Sequence, residues 1–324
     1  KIVREHIERY MFDANYDYGT RNSSNIISKI LGNMQHVIND ESGAIYTLDA
    51  ELLKREEYDE FLSDRLMYQY TKMMPRKYGA LTYDQIDKAV KAFLLSGQFG
   101  QKMSSIALEE YSIPLLNKGY AQLPIENLFS QYRGIKAFSV DLRRCPQKLL
   151  EFVEKNDPKY LAQIDSTLAI PDKNVIFDIY TAFLCHSVMN SKQFETLIWS
   201  TYQKVIDKIV EKEARLVLFI EAETMHIADF FRDIPQGHVC IHLEQDDIFQ
   251  MRKKLPNICL AGGMPVALLG GASKEECIAM AQKLCDELGE TGYLFSQNKM
   301  MSFAYDGRRE NMSAVQDFVL NYSL

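Results

Sequence analysis

From about residue 130 onward the chain alternates short runs of β-type residues with long amphipathic stretches, and this alternation constrains the fold more than any other feature. The β-type runs are IKAFSV at 135–140, RLVLFIEAE at 215–223, HVCIHLE at 238–244, NICLAGGM at 257–264 and GYLFS at 292–296. Between them lie helical patterns such as Ser191 to Glu213 and Lys274 to Leu288. Strands separated by helices pack as a parallel sheet, because each crossover helix returns the chain to the end where the next strand must begin. An open doubly wound sheet and a closed barrel both satisfy the pattern. The dinucleotide-binding form of the open sheet needs a GxGxxG turn after an early strand, and the sequence has none. The pairs Gly262-Gly263 and Gly270-Gly271, which flank Met264-Pro265, lack the spacing that brings backbone close to a pyrophosphate. No Walker A sequence occurs either. The expected fold is therefore α/β, a (β/α)8 TIM barrel formed as one domain over residues 1–324, with about residues 1–100 as a mostly helical amino-terminal elaboration.

That elaboration is polar and rich in Tyr, Met and Glu. Apolar residues at helical spacing predict a helix over Glu56 to Met74, ended by Pro75, and another over Tyr83 to Leu95, with Gly97 as its stop. With 47% hydrophobic and 25% charged residues in 324, the chain can bury a large core, which excludes disordered and disulfide-scaffold classes. Lys and Arg number 37 against 44 Asp and Glu, a net charge of -7, so there is no electrostatic footprint for nucleic acid. The six cysteines form no CxxC pair and read as the reduced thiols of a cytoplasmic protein. No apolar run approaches the roughly 18 residues of a membrane helix. The opening KIVREHIERY lacks a signal peptide's apolar region, and it lacks an initiator Met, which leaves room for residues upstream.

The run 238–244 is the most informative for chemistry. A strand alternates faces at every residue, so His238, Cys240, His242 and Glu244 share one face and Val239, Ile241 and Leu243 the other. In a barrel the aliphatic face lies under the outer helices and the polar face looks toward the axis, with the reacting groups at the carboxy-terminal strand ends. His242 and Glu244 fall at that end; His238 lies at the strand entrance, and Cys240 also fits as a small core residue. A second strand ends in Phe219-Ile220-Glu221-Ala222-Glu223 and brings carboxylates to the same rim. His, Cys and carboxylate are ligands that zinc accepts, a catalytic zinc using three and leaving the fourth position open. His186 precedes the turn Met189-Asn190-Ser191 and is a candidate for catalysis or for helix packing. Asp141, after the 135–140 run, is a candidate for substrate binding or for a structural ion pair with Arg143 or Arg144. Gln297 and Asn298 close the last strand and can offer hydrogen bonds to a substrate. Cys277 and Cys285, eight residues apart on one helix, read as packed.

In their order along the chain these segments resemble the uroporphyrinogen decarboxylase superfamily, and within it the branch of cobalamin-dependent methyltransferases similar to O-demethylases. The resemblance begins at Gly43-Ala44-Ile45-Tyr46-Thr47-Leu48-Asp49, EEYDEFLSDR (56–65) and Met74-Pro75-Arg76. It continues through Arg133-Gly134-Ile135, Asp141-Leu142 and HSVMNSKQFETLIW (186–199), and is strongest at FIEAE, IHLEQDD (241–247), ICLAGGMPVALL (258–269) and GYLFSQNK (292–299). It implies a (β/α)8 barrel with a substrate site at its mouth, a zinc that activates the methyl donor or acceptor, and a corrinoid carried by a separate protein. Methylamine- and methanol-system members use a His-x-Cys pair and a later Cys; here the positions read His242-x-Glu244 and Ser296, which argues against thiol activation. In the O-demethylase-like reading Glu221, His242 and Glu244 hold zinc, with His238 and Cys240 as alternatives, or without metal supply an acid.

That acid or Lewis acid has a purpose. An aryl methyl ether has a poor leaving group, so its oxygen must be protonated or polarised while a cobalt nucleophile takes the methyl carbon. The expected activity is transfer of a methyl group from a small methoxylated or methylated substrate to a corrinoid protein. No DxHxxG corrinoid-binding sequence is present, so the cofactor is expected on that partner. Two other readings stay open. A porphyrinogen-type decarboxylase would need basic groups at the mouth, for which Arg133, Arg143 and Arg144 are the near candidates, and a non-catalytic barrel would leave His242 and Glu221 apart or locally satisfied. A membrane partner is not expected, and a homodimer is left open.

Overall fold

A computed structural model describes residues 23–33, 36–38, 45–290, 292–301 and 306–323. Gly43 and Ala44 of the first family-like segment, and residues 1–22 of the expected helical elaboration, lie outside them. The chain divides into two compact units, Lys1–Leu115 with Tyr132–Gly134, and Leu116–Gln131 with Ile135–Leu324.

The first unit carries a small antiparallel pair, β1 (His36–Ile38) and β2 (Ile45–Thr47), and a set of helices. The predicted helix over 56–74 is present as successive short turns, Arg55–Glu57, Tyr58–Ser63, Arg65–Tyr68, a π-helical turn Gln69–Met73 and Met74–Tyr78. Pro75 does not end it. The proline falls in the first turn of Met74–Tyr78, where its missing N–H is not needed, and Gly79 at φ +68° ends the run. Gly97 does not stop the next helix either. That helix runs Tyr83–Tyr111, opened by a Thr82–Gln85 capping box, and the ~1 kcal/mol cost of one interior glycine is too small to break it. Glu57 is clamped by both Arg76 nitrogens, Nη1 at 2.7 Å and Nη2 at 2.8 Å, and accepts from the Tyr68 hydroxyl at 2.6 Å. The Arg76 guanidinium holds the Glu57 carboxyl far below the usual range.

The second unit is a curled sheet of six strands in sequence order, β3 (Leu115–Tyr120), β4 (Val175–Phe183), β5 (Leu216–Ile220), β6 (Val239–Leu243), β7 (Cys259–Met264) and β8 (Tyr293–Gln297). The neighbours from β4 to β8 are parallel. The α/β class holds, whereas the closed eight-stranded barrel does not: among the described residues the sheet has six strands and stays open. One expected strand is a helix. IKAFSV lies in the helix Ile135–Arg144, which buries Phe138, Asp141 and Leu142 at helical spacing and ends in two arginines beside its carboxy-terminal carbonyls. Six residues that alternate imperfectly fit both periods, and the burial of Leu142 four residues after Phe138 decides for the helix. The strand β4 is the reverse case, a run of β-branched and aromatic residues outside the expected set.

β3 likewise lies outside the expected set, the expected helix Ser191 to Glu213 is present as Ser191–Phe194, a π-helical turn Glu195–Trp199 and Ser200–Glu211, and β5 to β8 follow the expected pattern. All of β5, LVLFI, is buried, as in a parallel strand covered on both faces. Register pairs Val217 with Cys240 and Phe219 with His242, then Cys240 with Cys259 and His242 with Ala261. One sheet face therefore gathers Phe177, Val217, Cys240 and Ala261 into an apolar cluster, packed by Tyr180, Cys259 and Leu294. Helix Lys274–Leu288 matches its predicted span, capped by Ser273 and Glu276, and it buries both Cys277 and Cys285. All six cysteines are free thiols. Among the described residues no helix is long and apolar enough to cross a membrane.

Candidate active site

The carboxy-terminal ends of β4, β5 and β6 are tied together by the residues that follow them. Glu221 N donates to the Phe183 carbonyl at 3.1 Å, which joins the ends of β5 and β4. Ala222 N donates to Glu244 Oε2 at 2.6 Å, which joins β5 to β6. Ala222 is one of the few non-glycine residues with left-handed backbone, φ +59°, a conformation that costs about 1 to 2 kcal/mol and is held here by the Glu244 carboxylate. The strained turn places Glu221 and Glu223 on either side of Ala222. Asp246 accepts from Thr224 N at 2.7 Å and from Met225 N at 3.1 Å, so the loop after β5 is pinned by two acidic residues of the loop after β6.

Glu126 completes this rim, and sequence reasoning missed it. It sits in the helix Pro124–Asn127 after β3, wholly buried, and its Oε2 accepts from Cys185 N at 3.0 Å just beyond β4. Its Oε1 is buried with no hydrogen-bond partner. Burial, opposed by backbone hydrogen bonds and reinforced by the charge of Glu221, pushes the Glu126 carboxyl up to about 7. Glu221 is an exposed residue, yet the protein around it and the charge of Glu244 raise its carboxyl as well. The stretch Leu123-Pro124-Ile125-Glu126, followed by Leu128-Phe129, was the available signal: one carboxylate inside an apolar run. Tyr120 and Tyr180 stack beside the carboxylates with ring centroids 5.5 Å apart. Burial, then Tyr180, Glu126 and Glu221, push the Tyr120 hydroxyl up to about 12.

The histidines are differently placed. His242 donates from Nε2 to the Gln297 carbonyl at 2.7 Å, which fixes the tautomer and leaves Nδ1 as its acceptor. Its ring lies edge-on to Phe219 at 4.9 Å, and burial lowers its pKa. Gly262 makes room for it. A Cβ there would lie 2.8 Å from the Leu243 carbonyl oxygen and 3.0 Å from His242 Cδ2, at a φ of +104°. His186, in the turn Cys185–Val188, is wholly buried, donates from Nε2 to the Glu223 carbonyl at 3.3 Å and stacks on His226 at 5.7 Å. Its Nδ1 is buried without a partner, and burial, followed by the charge of His226, brings it down to about 4.

Of the residues expected from sequence, Glu221, Glu244, Glu223, His186 and His242 therefore lie along these strand ends. Gln297 contributes its carbonyl to His242. Asn298 has a bracing position: its Oδ1 accepts from Val266 N at 3.0 Å and its Nδ2 donates to the Glu244 carbonyl at 2.9 Å. Asp141 is not at a strand end but buried in the helix Ile135–Arg144, while Arg143 and Arg144 are exposed. His238 stands at the strand entrance with Nδ1 bonded to the Ala214 carbonyl at 2.9 Å, and Cys240 is buried against Cys259 in the apolar cluster.

A zinc centre does not fit this arrangement. Among the described residues no three His, Cys, Asp or Glu side chains are grouped to hold a metal ion. What the rim can do without a metal is hold protons: two carboxylates with raised affinity for a proton stand near each other.

No family model matches the sequence, and no curated protein matches it. Among solved structures the fold is similar to a methyltransferase from Methanosarcina mazei, with a TM-score of 0.56 and 12% identity, over 91% of this chain and 78% of that one. At that identity the likeness is one of fold, and it agrees with the methyltransferase-like architecture expected from the sequence.

Proposed function

We propose that the protein is a methyltransferase of the cobalamin-dependent branch of the uroporphyrinogen decarboxylase superfamily, which moves a methyl group from a small methoxylated or methylated compound to a corrinoid on a separate protein. The observation that carries this reading is the acidic rim at the carboxy-terminal strand ends, where burial, followed by the charge of Glu221, raises the Glu126 carboxyl to about 7 and burial, followed by the charge of Glu244, raises the Glu221 carboxyl.

The corrinoid supplies the electron pair that takes the methyl carbon. On this chain, Glu221 is the acid: as the carbon–oxygen bond breaks, the bonding pair stays on oxygen and the Glu221 proton neutralises it, leaving a hydroxyl compound. Glu244 holds the strained turn that aims Glu221. Glu126, enclosed and repelled by Glu221, keeps the pair from ionising together and so maintains a proton on the rim. The stacked Tyr120 and Tyr180 rings offer an apolar wall for an aromatic donor. His242, locked in one tautomer, presents Nδ1 as an acceptor.

The alternatives draw less support. Arg133 is buried on Glu51 and the Leu53 carbonyl, and Arg143 and Arg144 are exposed on their helix, so these bases do not form a cradle for a porphyrinogen's carboxylates. A non-catalytic ligand-binding barrel draws on one observation, the local satisfaction of His242 by Gln297. The test is to supply reduced corrinoid and a panel of methoxyaromatics and methylated compounds, and to follow methylcorrinoid formation and the demethylated product together. Stoichiometric appearance of both is expected; binding of a donor without transfer would support the non-catalytic barrel.

A further inference from the structure

Cys240 and Cys259 are the two members of one register pair on the neighbouring parallel strands β6 and β7. Residues paired in this way point to the same face of the sheet, and both thiols enter the apolar cluster around Phe177, Val217 and Ala261. Neighbouring strands lie about 4.8 Å apart, inside the range of about 4.4 to 6.8 Å that a disulfide spans between Cα atoms. The two side chains already touch, with the Cys240 thiol donating to the Cys259 sulfur. By contrast Cys277 and Cys285 stand about 12 Å apart along their helix, too far to bond.

The two members of the pair differ in access. Cys240 is wholly buried, whereas Cys259, the first residue of β7, is partly open. On the β8 side its neighbour is Gly292, an exposed residue with no side chain to cover it, whose carbonyl accepts from Leu260 N at 2.9 Å. Arg252, on the helix Ile248–Lys254, is fixed at the same place: Nη1 donates to the Ile258 carbonyl at 2.8 Å and Nη2 to the Gly292 carbonyl at 2.5 Å. A Cβ on Gly292 would lie 3.7 Å from Arg252 Nη2 and 3.9 Å from Cys259 Cα, so charge and cysteine meet around one glycine. A guanidinium beside a sulfur favours the thiolate, which is the reactive form. The hydrogen bond from Cys240 outweighs burial and, with the charge of Arg252, holds the Cys259 thiol below its ordinary value.

We propose that Cys240 and Cys259 are a dithiol site oxidised by peroxides, in which Cys259 meets the oxidant and Cys240 closes a disulfide onto it. In the first step the Cys259 sulfur attacks an oxygen of hydrogen peroxide or an organic hydroperoxide. An S–O bond forms, the O–O bond breaks, and the departing oxygen takes the proton given up by the Cys259 thiol, leaving as water or an alcohol. In the second step the Cys240 sulfur attacks the sulfenic sulfur; the S–S bond forms, the S–O bond breaks, and the hydroxyl leaves with the Cys240 proton as water. The two thiols lose two electrons, which reduce the peroxide. A disulfide needs its Cβ atoms within about 3.5 to 4.5 Å, so the bond draws β6 and β7 together beyond their ordinary spacing and is readily reduced again by small thiols. The site lies at the amino-terminal ends of these strands, opposite the acidic rim, and does not depend on the reaction proposed there.

The experiment treats the reduced chain with a graded series of hydrogen peroxide, blocks the remaining thiols in denaturant and maps the peptides by mass spectrometry. The wild type is expected to lose two of its six free thiols to an intramolecular Cys240–Cys259 disulfide, restored by dithiothreitol. Cys240→Ala is expected to accumulate a sulfenic acid on Cys259, trapped by dimedone. Cys259→Ala is expected to lose thiols about tenfold more slowly than the wild type, because Cys240 alone is enclosed. The wild-type map decides the matter even if a variant fails to fold. A pair that stays reduced throughout the series, a disulfide between other cysteines, or a Cys259 sulfinic acid beside an intact Cys240 thiol overturns the proposal; so does a folded Cys259→Ala that oxidises as fast as the wild type.

Discussion

Glu126 and Glu221 bring like charges to one rim, and the consequence is measurable in stability as well as in activity. The Glu126 carboxyl is raised from 4.5 to about 7, chiefly by burial, so the folded state binds this proton more tightly than the unfolded chain does. Its contribution is complete below about pH 4.5 and is lost as pH rises through about 7, at about 1.4 kcal/mol per unit of difference. His186 has the opposite sign. It is lowered from 6.5 to about 4, so its contribution is present above 6.5 and lost as pH falls through about 4. Urea unfolding from about pH 5 to about pH 8 should therefore show Glu126→Gln gaining on the wild type by up to about 3 kcal/mol as pH rises; parallel stability curves would count against the buried proton. Gly262→Ala tests the packing of His242. Its Cβ would meet the Leu243 carbonyl and the imidazole at positive φ, and a loss of about 1 to 3 kcal/mol in denaturant is expected. At this scale the sequence made Glu221, His242 and Glu244 legible, because strand alternation puts them at one end of neighbouring strands. Glu126 was not legible in that way, since its meeting with Cys185 joins positions 59 residues apart, and the only local trace is a carboxylate in an apolar run.

The elements were read best where two signals agreed. Helix Lys274–Leu288 has both its capping box and its apolar period, and its span matches expectation. β6 has its clean alternation and lies within one residue of the expected run at each end. Where one signal stood alone the reading failed: IKAFSV by composition suggested a strand, and Pro75 and Gly97 by identity suggested stops, but packing and position in the turn overrode all three. Asn298 shows how a residue at a strand end acquires a mechanical task. It accepts from Val266 N and donates to the Glu244 carbonyl, and its own N–H donates to the Met264 carbonyl at 2.8 Å. Asn298→Ala is expected to cost about 2 kcal/mol in thermal or chemical unfolding, because a backbone donor and an acceptor lose their partner. A change below a few tenths of a kcal/mol would mean that water replaces the brace without loss.

For the whole molecule, the alternation of strand and helix specified a parallel α/β sheet but not how many strands it would hold or whether it would close. Those depend on pairings between distant segments, and among the described residues the sheet remains open at six. The carboxy-terminal rim nevertheless collects the acidic groups, which is what a methyl transfer with a poor leaving group requires. The account turns on Glu221 donating a proton during that transfer. The most direct measurement is the pH dependence of single-turnover methyl transfer from a methoxylated donor to reduced corrinoid, for the wild type and Glu221→Gln. The account predicts a wild-type rate that falls as pH rises through the elevated Glu221 pKa, and a variant slower by about 100- to 10,000-fold that has lost this dependence. Equal rates with the same pH profile in both proteins would contradict it.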